Sequence, residues 1–310
     1  KKDDMVFYFT TCSWMMWNWT TSILSQGATV IQYEGNPMYP KADILFDIAD
    51  ECGMTFFGTS AKYLDTILTL NIVPSQTHKL KELRTIGSTG SPLCSEVCDF
   101  VYRDIKKDLH LNSFSGGTDI VSSFCMGNPI SPVYSGEMQG FGLGMHVKIY
   151  DANQNEMPIG KQGELTCVTP FASQPVKFWN DENNKKLIKA YFEKFNNCWC
   201  HGDWIEKTEH DGVFISGRAD AVLNPSGVRI GTAEIYSQVQ KVNEVLECCA
   251  VGQKWDNDER IVLFVVLRNG VKLDDELKNK IKKVIRDNAT PRHVPSKIIQ
   301  VSGVPKTHNG

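Results

Sequence analysis

Between about residues 41 and 115 the sequence alternates between strand-like runs and helical periodicity, and this limits the fold more than any other feature. A helical stretch at 42–52 precedes an apolar run at 54–59. A helix at 61–70, a strand at 84–87, a long helix at 93–109 and a strand at 111–114 follow. In the long helix Leu93, Val97, Phe100 or Val101, Ile105 and Leu109 recur at three- and four-residue steps, with Arg103, Lys106, Lys107 and Asp108 on the other face. Parallel strands need a long crossover and a helix supplies it, so this alternation predicts a parallel sheet.

From about 134 to 170 the pattern changes to strands with Gly and Asn punctuation, 145–150 and 163–169 around a turn at 151–155, which predicts an antiparallel β subdomain. A polar helix at 181–195 and a β stretch turning at His210-Asp211-Gly212 come next. The Gly-punctuated segment 216–231, with Pro225, places a boundary or hinge at about 217–220. A helix at 233–242, strands at 245–252 and 260–267, a helix at 273–288 and a strand at 298–301 then read as a small α+β domain. The expected class is α/β: a partial large domain over 1–217, parallel sheet plus antiparallel β subdomain, then a partial small α+β domain over 218–310.

The balance of 33 basic against 36 acidic residues, with no block of like charge, lacks the positive field of a nucleic-acid binder. The longest strongly apolar run, 261–267, is far shorter than the roughly 20 residues of a membrane-spanning helix. No nucleic-acid or membrane partner is therefore expected, and small-molecule chemistry is. Ten cysteines without a CxxC pair indicate neither a zinc site nor a disulfide framework, and read as reduced thiols of a cytosolic protein. The chain starts at Lys1 without Met and stops at Gly310 amid polar residues, so it reads as a piece of a longer protein.

Two Gly-bearing loops follow predicted parallel strands: Gly87-Ser88-Thr89-Gly90-Ser91-Pro92 and Ser115-Gly116-Gly117-Thr118-Asp119. In an open α/β sheet ligands bind at the carboxyl ends of strands, where backbone N–H groups converge. Gly allows close approach to a base or phosphate, Thr118 offers a hydroxyl, and Asp119 a carboxylate for a cation. Taken alone, either loop is more often an ordinary tight turn with a helix cap. Trp199-Cys200-His201-Gly202-Asp203 reads as a strand running into a turn, its carboxylate able to accept from two ribose hydroxyls or to close an Asx-turn. The fourth cluster joins Gly217-Arg218-Ala219-Asp220 to Pro225-Ser226-Gly227-Val228-Arg229-Ile230 and Glu234. No P-loop, HExxH or GxSxG motif occurs.

In this order and spacing the four clusters resemble the core motifs of the adenylate-forming acyl-CoA synthetase and luciferase-like superfamily, along essentially the whole chain. Within it the resemblance is closest to the acetoacetyl-CoA synthetase family, on Cys12-Ser13-Trp14-Met15-Met16-Trp17-Asn18-Trp19, Ser115 to Asp119 and Ala289-Thr290-Pro291-Arg292-His293-Val294-Pro295-Ser296. The resemblance implies ATP-dependent activation of acetoacetate to an acyl-adenylate, then transfer to coenzyme A with release of AMP, pyrophosphate having left in the first step. Substrates would be acetoacetate, ATP and coenzyme A, with Mg2+. Alternatives are a synthetase for propionate, butyrate or a longer acid, and a non-catalytic nucleotide-binding relative.

By the same resemblance Gly90, Ser91 and Pro92 would meet adenine, and Ser113, Phe114, Ser115, Gly116, Gly117 and Thr118 the base and α-phosphate. Asp203 would take the ribose hydroxyls, and Arg218 and Arg229 would reach ribose and phosphate. Thr118 and Asp119 would be catalytic, Asp119 through the metal although most relatives carry Glu there. Asp220 would be the hinge, and Ser226, Gly227 and Arg286 would serve coenzyme A. Trp14, Met15, Met16, Thr89 and Gly116 would form the acyl pocket; the two Met residues and Thr89 also fit ordinary core packing beside Trp14 and Trp17. Acetyl-CoA synthetases carry Trp where this chain has Gly116, so the glycine implies room for a longer acid. The final 304–310 segment resembles the motif that precedes the catalytic Lys. The implied absence of that Lys and of an upstream phosphate loop predicts little adenylation by this piece alone.

Overall fold

The computed structural model describes residues 1–223, 225, 230–256 and 258–306. Its first half contains β1 (Met5–Tyr8), α1 (Met15–Ser22), β2 (Thr29–Ile31), α2 (Ile44–Cys52), β3 (Phe56–Ser60), α3 (Ala61–Thr69), α4 (Pro74–Thr77), β4 (Thr85–Thr89), α5 (Ser95–Phe100) and β5 (His110–Ser113). The five strands form a wholly parallel sheet in the order β2-β1-β3-β4-β5. Register is set by burial: Phe57, Ile86 and Leu111 lie side by side on one face. They pack with Leu45 and Phe46 of α2, Leu64 and Ile67 of α3, and Val97 and Phe100 of α5. A one-residue slip would turn the whole apolar set toward the opposite face. That face carries aromatics instead, with Tyr8 edge-on to Trp14, Trp19 and Phe114, which brings the start of α1 to the carboxyl edge of the sheet.

The next strands, β6 (Ser115–Gly117) and β7 (Ser122–Cys125), make a small antiparallel pair. Then β8 (Val147–Tyr150), β9 (Gln162–Cys167), α6 (Lys185–Tyr191), β10 (Trp199–Lys207) and β11 (Val213–Arg218) give an antiparallel sheet of order β11-β10-β9-β8. The last elements are α7 (Thr232–Val239), β12 (Val245–Trp255), β13 (Asp258–Leu267), α8 (Asp275–Asn288) and β14 (Lys297–Gln300). They share one apolar cluster, from Leu223 to Ile298, with Leu277, Ile281 and Ile285 presenting a single stripe of α8. Asp274 caps that helix by accepting the Leu277 N–H at 2.8 Å. Asp274→Ala is expected to cost about 1 kcal/mol, read as an earlier unfolding transition by circular dichroism.

The parallel sheet, the antiparallel β region and the C-terminal α+β segment match the expected fold class. Three local expectations need correction. The helix expected over 93–109 is α only through Phe100 and ends in a π turn, Val101–Ile105. Lys106 leaves it extended and donates its ammonium to the carbonyls of Leu80, Lys81 and Leu83 at 2.7–3.2 Å. The helix expected over 181–195 is reduced to α6 because Asn183 and Asn184 adopt left-handed backbone angles. Asp203 does not follow a turn: it lies inside β10, whose pairing with β9 shifts between Cys200 and Trp204. β1, β2 and α1 lie in the first 41 residues, where the sequence pattern defined no element.

Candidate functional site

At the carboxyl edge of the parallel sheet the chain leaving β4 is tied to the chain leaving β5. Thr89 donates its hydroxyl to the Phe114 carbonyl at 2.6 Å, and the Phe114 N–H donates to Ser88 at 3.0 Å. Gly90 turns the first loop with φ +95°, a left-handed conformation unfavourable for side-chain-bearing residues, and a Cβ there would lie 3.7 Å from the Trp14 ring. The second loop enters β6 directly, so the Gly-Gly pair is a short strand rather than an open turn.

Asp203 is paired in register with Arg218 of β11. Its carboxylate is buried; it accepts from the Ser115 hydroxyl at 3.3 Å and from Arg218 Nη1 at 3.2 Å. Arg218 Nη1 also donates to the His201 carbonyl at 3.0 Å. Behind this pair His201 lies between Phe124 and Trp199, with Nε2 3.1 Å from the Gly116 carbonyl and Trp199 Nε1 donating to Nδ1 at 3.4 Å. Burial lowers the affinity of its imidazole for a proton; Asp203 opposes this and Arg218 reinforces it. Trp199 in turn stacks on Tyr191 at 3.7 Å, and the Tyr191 hydroxyl donates to Asp119. Burial, and then that carboxylate, raise the Tyr191 pKa, so the phenol stays a donor.

These loops enclose a cavity of about 300 Å³. Gly90, Ser91 and Pro92 line one part of it; Phe114 to Thr118 line another; Asp203 and Arg218 close a third. Trp14, Met15, Met16 and Thr89 complete the wall. The sequence motifs did not mark Met138 and Ile215, which also face the cavity, as does Gly217, a member of the fourth cluster that had been given no role. Trp199 and His201 belong to the third cluster but had no role; Tyr191 carried no local signal, because its relation to Asp119 arises only when α6 packs on β10.

Several expected residues lie elsewhere. Ser113 faces a neighbouring cavity of about 400 Å³, which shares Ser91, Pro92, Met138 and Ile215 with the first. Arg286 is exposed in the last turn of α8 and lines neither cavity. Asp220 belongs to a single 3-10 turn, Ala219–Ala221, after β11. Ser226, Gly227 and Arg229 lie outside the described residues. Gly116 also departs from the reading of an opened pocket. A Cβ there would lie 1.9 Å from the Ser122 carbonyl oxygen and 2.7 Å from Ser123 Cα. The β7 backbone therefore fills the space in that direction, and close strand approach accounts for the glycine.

An open parallel sheet with a cavity at its carboxyl edge, walled by Gly-bearing loops, a buried carboxylate and an arginine, places the chain among α/β proteins whose ligand site lies at the strand ends. The chain belongs to the AMP-binding enzyme family, whose model matches residues 1–174; the model for the AMP-binding enzyme C-terminal domain matches residues 234–310. It is 52% identical over 308 residues to an acetoacetyl-coenzyme A synthetase of Rhizobium meliloti (strain 1021), covering 99% of this chain and 47% of that protein. It is 43% identical over 311 residues to an acetoacetyl-CoA synthetase of Gallus gallus, covering 99% and 46%. A solved acetoacetyl-CoA synthetase from Streptomyces lividans superposes with a TM-score of 0.92 at 37% identity, over 99% of this chain and 47% of that one. The chain thus spans about half the length of these relatives.

Proposed function

We propose that the protein is an acid–thiol ligase that activates acetoacetate with ATP and transfers the acyl group to coenzyme A, acting in the cytosol. The observation that carries this reading is the single cavity joining Ser91, Ser115–Thr118, Asp203 and Arg218 to the Trp14–Met16 wall. The names of the relatives above support the acid.

In the first step an acetoacetate oxygen attacks the α-phosphorus of ATP as the bond to pyrophosphate breaks. In the second the coenzyme A sulfur attacks the acyl carbon and AMP leaves. Negative charge gathers on phosphate and then carbonyl oxygens, so oriented donors and cations are the main catalytic device. Asp203 would hold the ribose hydroxyls, Arg218 would face the phosphate, and backbone N–H groups of Ser115–Thr118 would bracket the α-phosphate. The acyl chain would lie along Trp14, Met15, Met16 and Thr89, where Met adapts its shape to the occupant.

Asp119 is exposed just beyond Thr118 and is oriented by Tyr191. One protein carboxylate fits Mg2+, which commonly takes one or two carboxylates plus substrate phosphates and keeps several waters. Bound there, the ion would neutralise phosphate charge. The segment after β11 would turn about Asp220, bringing Arg286 and the Ser226-Gly227 segment to coenzyme A. Supplying the full-length protein, rather than this piece alone, with ATP, Mg2+, coenzyme A and acetate, acetoacetate or butyrate tests the reading. AMP release is expected to be fastest with acetoacetate, by about tenfold over acetate, a difference worth about 1.4 kcal/mol in the barrier. Preference for acetate would discard the assignment of the acid.

A further inference from the structure

His201 has no part in the steps above, yet it is buried at the junction of three features of the cavity. Its ring reaches the Gly116 carbonyl on β6, its backbone carbonyl receives Arg218, and its Nε2 is 3.8 Å from Asp203 Oδ2. The indole N–H of Trp199 is a donor only, so Nδ1 must be its acceptor. That leaves the proton of the neutral ring on Nε2, aimed at Gly116. A Cβ on Gly117 would lie 2.8 Å from His201 Cε1, so the ring also supports the next residue of the strand.

We propose that His201 is a positioning residue: its Nε2–H tautomer, fixed by Trp199, pins the Gly116-Gly117 strand at a set height above Asp203. This fixes the gap between the groups that meet base and phosphate and the carboxylate that meets ribose. The inference rests on the nucleotide reading above and deepens it. Discrimination for the ribose hydroxyls depends on that gap, because a nucleotide held by its base and phosphate reaches Asp203 only if the two walls are in register. Loss of the pin should reduce selectivity for those hydroxyls more than it reduces binding of the rest of the nucleotide.

The test is calorimetric titration of the chain with AMP and with 2′,3′-dideoxy-AMP. The unsubstituted protein is expected to prefer AMP by about tenfold or more, as loss of hydrogen bonds to a charged group implies. In His201→Leu the preference should fall to about threefold or less. His201→Gln, whose amide can both donate to Gly116 and accept from Trp199, should restore most of it. Trp199→Phe keeps an aromatic ring beside Tyr191 but removes the N–H that selects the tautomer; it should also lower the preference, and it decides the matter if His201→Leu does not fold. A folded His201→Leu or Trp199→Phe protein with a lower melting temperature and an unchanged preference would overturn the positioning role. Failure of the unsubstituted protein to distinguish the two nucleotides would instead overturn the placement of ribose at Asp203.

Discussion

Asp203→Ala is expected to weaken AMP binding by about a hundredfold or more while leaving free adenine unaffected. The carboxylate is buried and held by Ser115 and Arg218, so it meets a ligand with its orientation already fixed. Hydrogen bonds to a charged acceptor contribute about 1.5–3 kcal/mol each, and two ribose hydroxyls can share this one. Their loss therefore amounts to about 3 kcal/mol or more, which is the expected hundredfold. Titration with AMP and adenine in parallel separates the ribose contribution from that of the base. Equal AMP affinity in the folded variant would remove Asp203 from the site.

The second large effect concerns stability. Gly116→Ala should lower unfolding stability by about 3 kcal/mol, at the upper end of overpacking costs, because the new methyl meets the backbone of β7 rather than a mobile side chain. Either β6 moves away from β7, or the pairing of Gly116 with Ser123 is lost. Gly303→Ala is the control, since a Cβ there meets nothing within 4 Å. Thermal unfolding of the two variants side by side should show a large shift for the first and almost none for the second. Similar melting temperatures would mean that Gly116 is not held by strand approach.

The parallel sheet was legible between residues 41 and 115 because strand and helix periods alternate there without interruption. Both Gly-bearing loops could be placed at its carboxyl edge for the same reason. β1 and β2 were not legible: four and three residues long, they acquire their identity only by pairing with β3 and with each other. Asp203 was identified as a site residue but given the wrong local structure. A Gly with φ +83° just before it resembles a turn in sequence, whereas in the fold it is part of an irregularity in a continuous strand. The meaning of Gly116 was hidden in the same way, since the atoms that exclude a side chain belong to Ser122 and Ser123 and approach it only in the paired hairpin. Ser113 belongs to a neighbouring chamber because residues on a strand alternate sides, and adjacency in sequence to Phe114 says nothing about the face.

Ser91, Pro92, Met138 and Ile215 form a party wall, bare to a hollow on either side. A guest that pushed this partition aside would enlarge its own hollow at the expense of the other, and so at the expense of any second tenant there. Whatever influence the first exerts on the second's affinity must be returned in equal measure.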